Sequence, residues 1–460
     1  MAEYFEFDFI NSPVLQMFID QQHAPWRGFS LNLFGHTDRN HDVECIPFHS
    51  IGSGVVRADR WVGNFTLKGN RYCIKPRIGW SRFVSLIEVS LGLPSVGIID
   101  AATSISKGLE LQNNLLALLW CSALRQGRRH HGAPKTFVRR EDPDSESLHG
   151  KLDLQRQLTS NELGRRHRIA CIYDELTYNN PLNQATRAVI RKVKSDKLFP
   201  FYSSPLSSNS QRRGELLSWQ DRLGLLGVHL PDVFPQDAVK WSRSNAGYRS
   251  AHELAKRIVS RKGANLSGAA NHISETPFFD AAEVWEIFLL KRLQRVASEM
   301  YFRVISPRYH QPFADYLLRH GNITRGKLLP DYLLQKLDGK TIAVIDAKCR
   351  HMREEWGRGI FVPQNDEIVQ MALYSSHYDM VPAVLLYPRV APDIDTPKAG
   401  FNSNISEEIC INTPVGTSHL ELKDRPLLSW WAIHIDSPKN REWLSNVDKQ
   451  LTNVLKACKA

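Results

Sequence analysis

The chain has 460 residues, with 59 Lys and Arg against 48 Asp and Glu, a formal charge of +11. That length exceeds one ordinary hydrophobic core, and the basic balance suits a polyanionic partner, since neutralised phosphates release counterions. No run of about 18 apolar residues occurs, which excludes a helical membrane span, and the seven cysteines form no CxxC pair, which argues against a disulfide frame or a zinc or iron–sulfur site.

The first residues, MAEYFEFDFINSP, lack a basic region followed by an apolar run, so no leader is expected and the chain reads as cytoplasmic. Residues 1 to about 105 hold short alternating and aromatic runs broken by Gly, Asn and Pro (FSLNLFG, GVVRADRWVGNFTLKG, RYCIKPRIGW, VGIID), the pattern of small β structure. From Leu109 to Ala123 the spacing predicts a buried helix. A basic stretch at 125–140, RQGRRHHGAPKTFVRR, is expected to be a loop. It suits either a phosphate-contacting arm or an ordinary solvated surface.

HRIACIYDEL reads as a strand, and NPLNQATRAVIRKVK as a helix with Asn180 at the N-cap and Pro181 at the first helical position. The polar stretch at 203–214 reads as a loop, with helices expected near 215–226 and 245–260. The Gly-, Ser- and Asn-rich run at 260–277 marks a domain boundary. The resulting division is an α+β domain at 1–200, a helical linker region at 201–275 and a third region at 276–460.

Beyond the boundary the organisation changes. A helix is predicted at 279–298, a strand at 301–306, a hairpin pairing 330–337 with 341–347, a helix at 366–378 and an apolar strand at 383–388. That order describes a mixed α/β unit with a small central sheet covered by helices. Gly339-Lys340-Thr341 mimics the end of a phosphate-binding loop, but Leu334 stands where its first Gly should be. The run joins two strands and reads as a hairpin turn.

Three residues at this hairpin carry the chemistry. Asp331 opens one strand, and Asp346 and Lys348 close the next on a shared face. An acid and a lysine ending a buried strand are costly without a purpose. Two converging carboxylates suit Mg²⁺, and a lysine beside them can steady developing negative charge. A plain salt bridge between Asp346 and Lys348, with Asp331 capping a turn, would explain each residue singly.

Glu286 falls on the inward face of the preceding helix, with Ala282, Leu289, Leu290 and Leu293 as neighbours. Glu283, one turn earlier beside Asp280, is expected to face solvent. Gln370 and Tyr374 share one face of the later helix and could orient the site or touch DNA.

In this order, the helix Glu, Pro330-Asp331, Asp346-Ala347-Lys348 and the Gln370/Tyr374 pair resemble the PD-(D/E)xK nuclease superfamily, in its RecB-like branch. The blocks YCIKPRIGWSRFVSLIEVSLG, GKLDLQRQL and YDELTYNNPLNQATRAVI are similar to the McrC family, nuclease subunits of McrBC-type modification-dependent restriction systems. The resemblance covers about residues 70–390, and Cys349 departs from it by standing where an aromatic is usual.

The resemblance implies an α/β fold with a C-terminal PD-(D/E)xK core, a central mixed sheet flanked by helices, preceded by an N-terminal α+β adaptor. It implies a DNA endonuclease using Mg²⁺ or Mn²⁺, with Asp331 and Asp346 as metal ligands and Lys348 and Glu286 completing the catalytic set. Gln370 and Tyr374 would support the site or contact DNA. The expected partners are a hexameric McrB-like AAA+ GTPase, stimulated by this chain, and modified double-stranded DNA, with no membrane. A RecB-like repair exonuclease and a non-cleaving adaptor of an AAA+ motor are the alternatives.

Overall fold

The computed structural model describes residues 2–5, 9–11, 26–29, 42–45, 48–52, 55–67, 70–91, 108–131, 134–195, 210–231, 234, 239, 241–243, 245–260, 278–308, 315–320, 323–349, 353–355, 360–389, 416–417, 427–435 and 442–459. They form two compact units, residues 1–34, 40–112 and 262–460 in one, and 35–39 and 113–261 in the other.

The N-terminal segment supplies β1 (Ala2–Phe5), β2 (Phe9–Asn11), β3 (Trp26–Phe29), β4 (Asp42–Cys45), β5 (Phe48–Gly52), β6 (Val55–Ala58), β7 (Trp61–Leu67) and β8 (Asn70–Lys75). The β structure expected of GVVRADRWVGNFTLKG and RYCIKPRIGW is therefore present, while VGIID and, beyond Phe29, FSLNLFG lie outside the described residues. One element was not foreseen there: helix α1 (Trp80–Ser90), which buries Phe83, Val84, Leu86 and Ile87. Its apolar residues at i, i+3 and i+4 carry a helical period that the neighbouring Gly and Pro signals obscure.

Helix α2 (Gly108–His131) runs well past the predicted end at Ala123. The basic stretch expected as a loop is thus partly helical, and Thr136 already begins β9 (Thr136–Ser145). Arg128 lies over the ring of Trp219 at 5.1 Å, so the guanidinium finds an aromatic partner that local sequence cannot show.

In the second unit β9 pairs with β11 (Ile169–Thr177), which also pairs with β10 (Lys151–Leu152), all antiparallel. The other elements there are α3 (Leu154–Glu162), α4 (Pro181–Ser195), α5 (Ser210–Leu225) and α6 (Arg249–Ser260). Asn180 caps α4 as expected, accepting from the Asn183 N–H at 3.0 Å. Its amide also donates to the Pro134 carbonyl at 3.0 Å. The stretch expected as a loop at 203–214 is helical from Ser210 onward. The boundary run 261–277 lies outside the described residues.

The chain returns to the first unit through β12 (Phe278–Asp280), which pairs with both β7 and β3 in a six-stranded sheet ordered β1-β8-β7-β12-β3-β4. Asp280 then caps α7 (Ala281–Glu299), its carboxylate accepting from the N–H groups of Ala282 and Glu283. These bonds satisfy donors that a helix start otherwise leaves orphaned.

The second large sheet follows, built on β13 (Phe302–Ile305). Two side hairpins, β14 (Asp315–His320) with β15 (Ile323–Leu328) and, later, β18 (Arg353–Glu355) with β19 (Ile360–Val362), form separate pairs. Between them lie β16 (Tyr332–Lys336) and β17 (Thr341–Ala347), joined at Gly339 with φ 88°, a left-handed conformation natural to glycine. Then come α8 (Asn365–His377), β20 (Ala383–Arg389), β21 (Gly416–Thr417), β22 (Leu428–His434) and α9 (Trp443–Lys459).

The sheet order is β13-β16-β17-β20-β22-β21, with β17, β20 and β22 mutually parallel and the remaining neighbours antiparallel. Met371 and Tyr374 of α8 pack with Leu333, Val344, Leu385 and Tyr387. Side chains alternate along a strand, so these sheet residues define the face that α8 covers. The chain is thus mixed α/β, and the central strand β17 is buried from Ala343 to Ala347. Among the described residues no helix is long and apolar enough to cross a membrane.

Candidate active site

Register alone brings the two aspartates together. Tyr332 pairs with Ile345 in the antiparallel β16–β17 ladder, so continuing one residue sets Asp331 beside Asp346. Asp331 is fixed there because its Oδ2 accepts from the Ala347 N–H at 2.8 Å. Asp346 shares the face of Val344, two residues before it, and is 2% exposed. Lys348 shares that face again, and its Nζ meets Asp346 Oδ2 at 2.6 Å. The Lys348 N–H still donates to the Leu386 carbonyl at 2.9 Å, prolonging the parallel pairing and holding the lysine at the sheet.

Helix α8 completes this side. Lys348 Nζ donates to Gln370 Oε1 at 3.0 Å, and Gln370 Nε2 donates to the Tyr374 hydroxyl at 2.9 Å. The expected one-face relation of Gln370 and Tyr374 is therefore realised as a relay ending on the lysine. At the start of α8 the Gln364 N–H donates to Glu367 Oε2 at 2.7 Å, and the Tyr387 hydroxyl reaches the same oxygen at 2.7 Å. Glu367 is fully buried, and this pairing ties α8 to β20 beside the lysine.

Glu286 comes from α7 and is buried, as its inward position required. Its carbonyl accepts from the Tyr332 hydroxyl at 2.6 Å, locking the helix to the strand that Asp331 opens. Its carboxylate meets Arg308 Nη1 at 2.5 Å, and the same nitrogen stands 3.8 Å from Asp331 Oδ1. Glu283, expected to face solvent, is instead 9% exposed. The helix start is tied to Arg60, whose carbonyl accepts from the Ala281 N–H at 3.0 Å and whose guanidinium meets Asp280 at 3.0 Å, a long-range contact that no helical period could indicate.

Arg308, Tyr332, Glu367 and Tyr387 are the residues that sequence reasoning did not select. A Glu three residues into a helix is a recognisable capping signal for Glu367. Arg308 carries no such signal, because its acids lie 22 residues before it in α7 and after the following hairpin.

The electrostatics follow from this crowding. Burial pushes the Asp331 carboxyl well above the usual carboxylate range, and Asp346 and Glu286 push it the same way. The Ala347 N–H and Arg308 only partly offset them. For Lys348 burial acts downward, but the charge and hydrogen bond of Asp346, with Asp331 and Glu367, outweigh it and hold the ammonium above its ordinary value. Burial, opposed by the Gln370 hydrogen bond, raises the Tyr374 phenol, so it stays protonated near neutral pH.

Among the described residues no three acidic, histidine or cysteine side chains close into a ready-made metal cage. Mg²⁺ needs none, since one or two carboxylates usually hold it while it keeps several waters. Asp331 and Asp346 fit that role: both are buried hard oxygen donors, and the negative charge that Asp331 carries when ionised is only partly compensated by Arg308.

The fold and site together define a mixed α/β protein with an acid–acid–lysine cluster at the carboxyl ends of parallel strands, a usual place for ligands in such sheets. A family model described as McrBC 5-methylcytosine restriction system component matches residues 56–388, and the chain belongs to that family. It is a component of a restriction system.

Among solved structures, the refined half-complex from a tetradecameric assembly of Thermococcus gammatolerans McrB AAA+ hexamers with bound McrC contains a chain of similar fold. The match covers 98% of this chain and 99% of that one, at 16% identity and a TM-score of 0.52. The cryo-EM structure of the Thermococcus gammatolerans McrBC complex matches over 64% of this chain and 87% of its own, at 17% identity and a TM-score of 0.32. No curated protein matches.

Proposed function

We propose that the chain is the DNA endonuclease subunit of its restriction system, a Mg²⁺-dependent enzyme of the PD-(D/E)xK class preceded by an N-terminal adaptor. The observation that carries this reading is the convergence of Asp331, Asp346 and Lys348 at one strand end, with Asp331 raised by burial between acids. Buried clustered carboxylates of this kind are unfavourable in a purely structural site and common in catalytic ones.

Asp331 and Asp346 would hold Mg²⁺, with Mn²⁺ as a substitute. When bound, the ion supplies Lewis-acid polarisation of the phosphodiester and acidifies the attacking water. Lys348, kept protonated and aimed by Gln370, balances negative charge that develops on the scissile phosphate. Tyr374 fixes the Gln370 amide, and Glu286 joins the acidic set from α7.

The family description and the likeness to a chain from an assembly of AAA+ hexamers support action with a hexameric McrB-like GTPase on modified double-stranded DNA. The compartment would be the cytoplasm, where such DNA is met.

The test is cleavage of covalently closed, 5-methylcytosine-containing plasmid by the purified chain with its AAA+ partner, nucleotide and Mg²⁺. Asp346→Asn should remove cleavage while leaving the partner's nucleotide hydrolysis stimulated. Retained cleavage by a folded variant overturns the site assignment. Wild-type stimulation without any cleavage favours the adaptor reading, and cleavage of linear DNA alone favours an exonuclease.

A further inference from the structure

Arg308 is a cation for which the nuclease reading has no task. It stands just beyond β13, and its side chain is 38% exposed, while the Glu286 and Asp331 side chains it meets are 8% and 10% exposed. The site's other cation, Lys348, is only 16% exposed and is anchored by Gln370 as well as Asp346. The two cations therefore differ in how easily they can leave. Lys348 is set into the sheet, whereas Arg308 covers the acids from the solvent side on a long stem.

A guanidinium does not lose its proton in a protein, so its charge leaves this cluster only if the side chain moves. Buried carboxylates without a positive partner are strongly unfavourable, which gives Arg308 a clear role when no metal is bound. A divalent cation would compete for the same oxygens.

We propose that Arg308 is a displaceable counter-cation: it neutralises Glu286 and Asp331 in the metal-free chain, and a divalent ion must expel its guanidinium to bind. Arg308 is then a positioning residue that sets metal affinity. This inference rests on the reading of Asp331 and Asp346 as metal ligands.

The experiment measures Mn²⁺ binding to the full chain by calorimetry, together with the melting temperature with and without Mn²⁺. Arg308→Gln should bind Mn²⁺ roughly tenfold tighter than wild type, the scale of one charge-assisted hydrogen bond that no longer has to be broken. Its metal-free melting temperature should fall, and Mn²⁺ should raise it by more than in wild type. Arg308→Lys keeps the charge on a shorter, differently shaped head that replaces the Nη1 contacts less well, and should bind with intermediate affinity. Asp346→Asn should abolish binding in each background.

Unchanged or weaker affinity in a folded Arg308→Gln, with binding still dependent on Asp346, overturns the inference and leaves the metal site standing. If Arg308→Gln does not fold, an Arg308→Lys affinity at or below wild type overturns it. Absence of any Asp346-dependent binding in wild type and variants removes both readings.

Discussion

The Ala347 N–H donates to Asp331 Oδ2 at 2.8 Å, so the backbone of the strand carrying Asp346 holds the carboxylate of the strand beside it. One hydrogen bond thus fixes the spacing of the two acids. Asp331→Asn retains an acceptor for that N–H and should fold, but cleavage of closed circular DNA should fall at least about a hundredfold, the scale of losing one charge-stabilising group. Asp331→Ala also orphans a buried donor and should cost about 1–3 kcal/mol in denaturant unfolding.

The Lys348–Gln370–Tyr374 relay predicts graded losses. Lys348→Met removes the charge and should abolish measurable cleavage. Gln370→Ala frees the lysine from α8 and should lower the rate roughly tenfold, near the worth of one charge-assisted hydrogen bond. Tyr374→Phe removes only the hydroxyl that accepts from Gln370 and should cost a few-fold at most. Single-turnover plasmid nicking ranks the three, and an inverted order would dissociate Gln370 from the lysine.

Glu367 is fully buried and accepts from both the Gln364 N–H and the Tyr387 hydroxyl. Glu367→Ala strands two donors and should destabilise the chain by roughly 2 kcal/mol or more. Tyr387→Phe, losing one neutral partner, should cost about 1 kcal/mol. Equilibrium urea unfolding distinguishes them.

Asp280 gives a pH signature. Burial raises its carboxyl, against Arg60, the Glu283 N–H, Arg308 and the Ala282 N–H. The folded chain therefore holds this proton more tightly than the unfolded one. That stability is complete below the ordinary value of 3.8 and is lost as pH rises through the raised native value. Asp280→Asn keeps a cap acceptor without titrating, so the melting temperature of wild type relative to this variant should decline as pH rises above the ordinary value of 3.8. A difference that does not change with pH would contradict the raised carboxyl.

Much of the second sheet is legible in the sequence. The apolar run of β17, the turn at Gly339 and the strand AVLLYP are local patterns, and alternation alone set Asp346 and Lys348 on one face. The helical period likewise turned Glu286 inward, and Asn180 before Pro181 announced its own cap. Glu283 and the basic stretch at 125–140 depart from the sequence expectation because each depends on a distant partner. For the helix start that carries Glu283 it is Arg60, and for Arg128 the ring of Trp219.

The acid–acid–lysine set was likewise present in the linear order, since its members lie on adjacent strands of one hairpin and sequence distance there is close to spatial distance. Tertiary structure alone decided what surrounds them. Arg308 reaches Glu286 and Asp331 only because β13 lies at the edge of the same sheet, and Glu367 meets Tyr387 only because α8 crosses it. Such contacts arise where separate elements pack, and no local periodicity records which charged side chain will be enclosed with which.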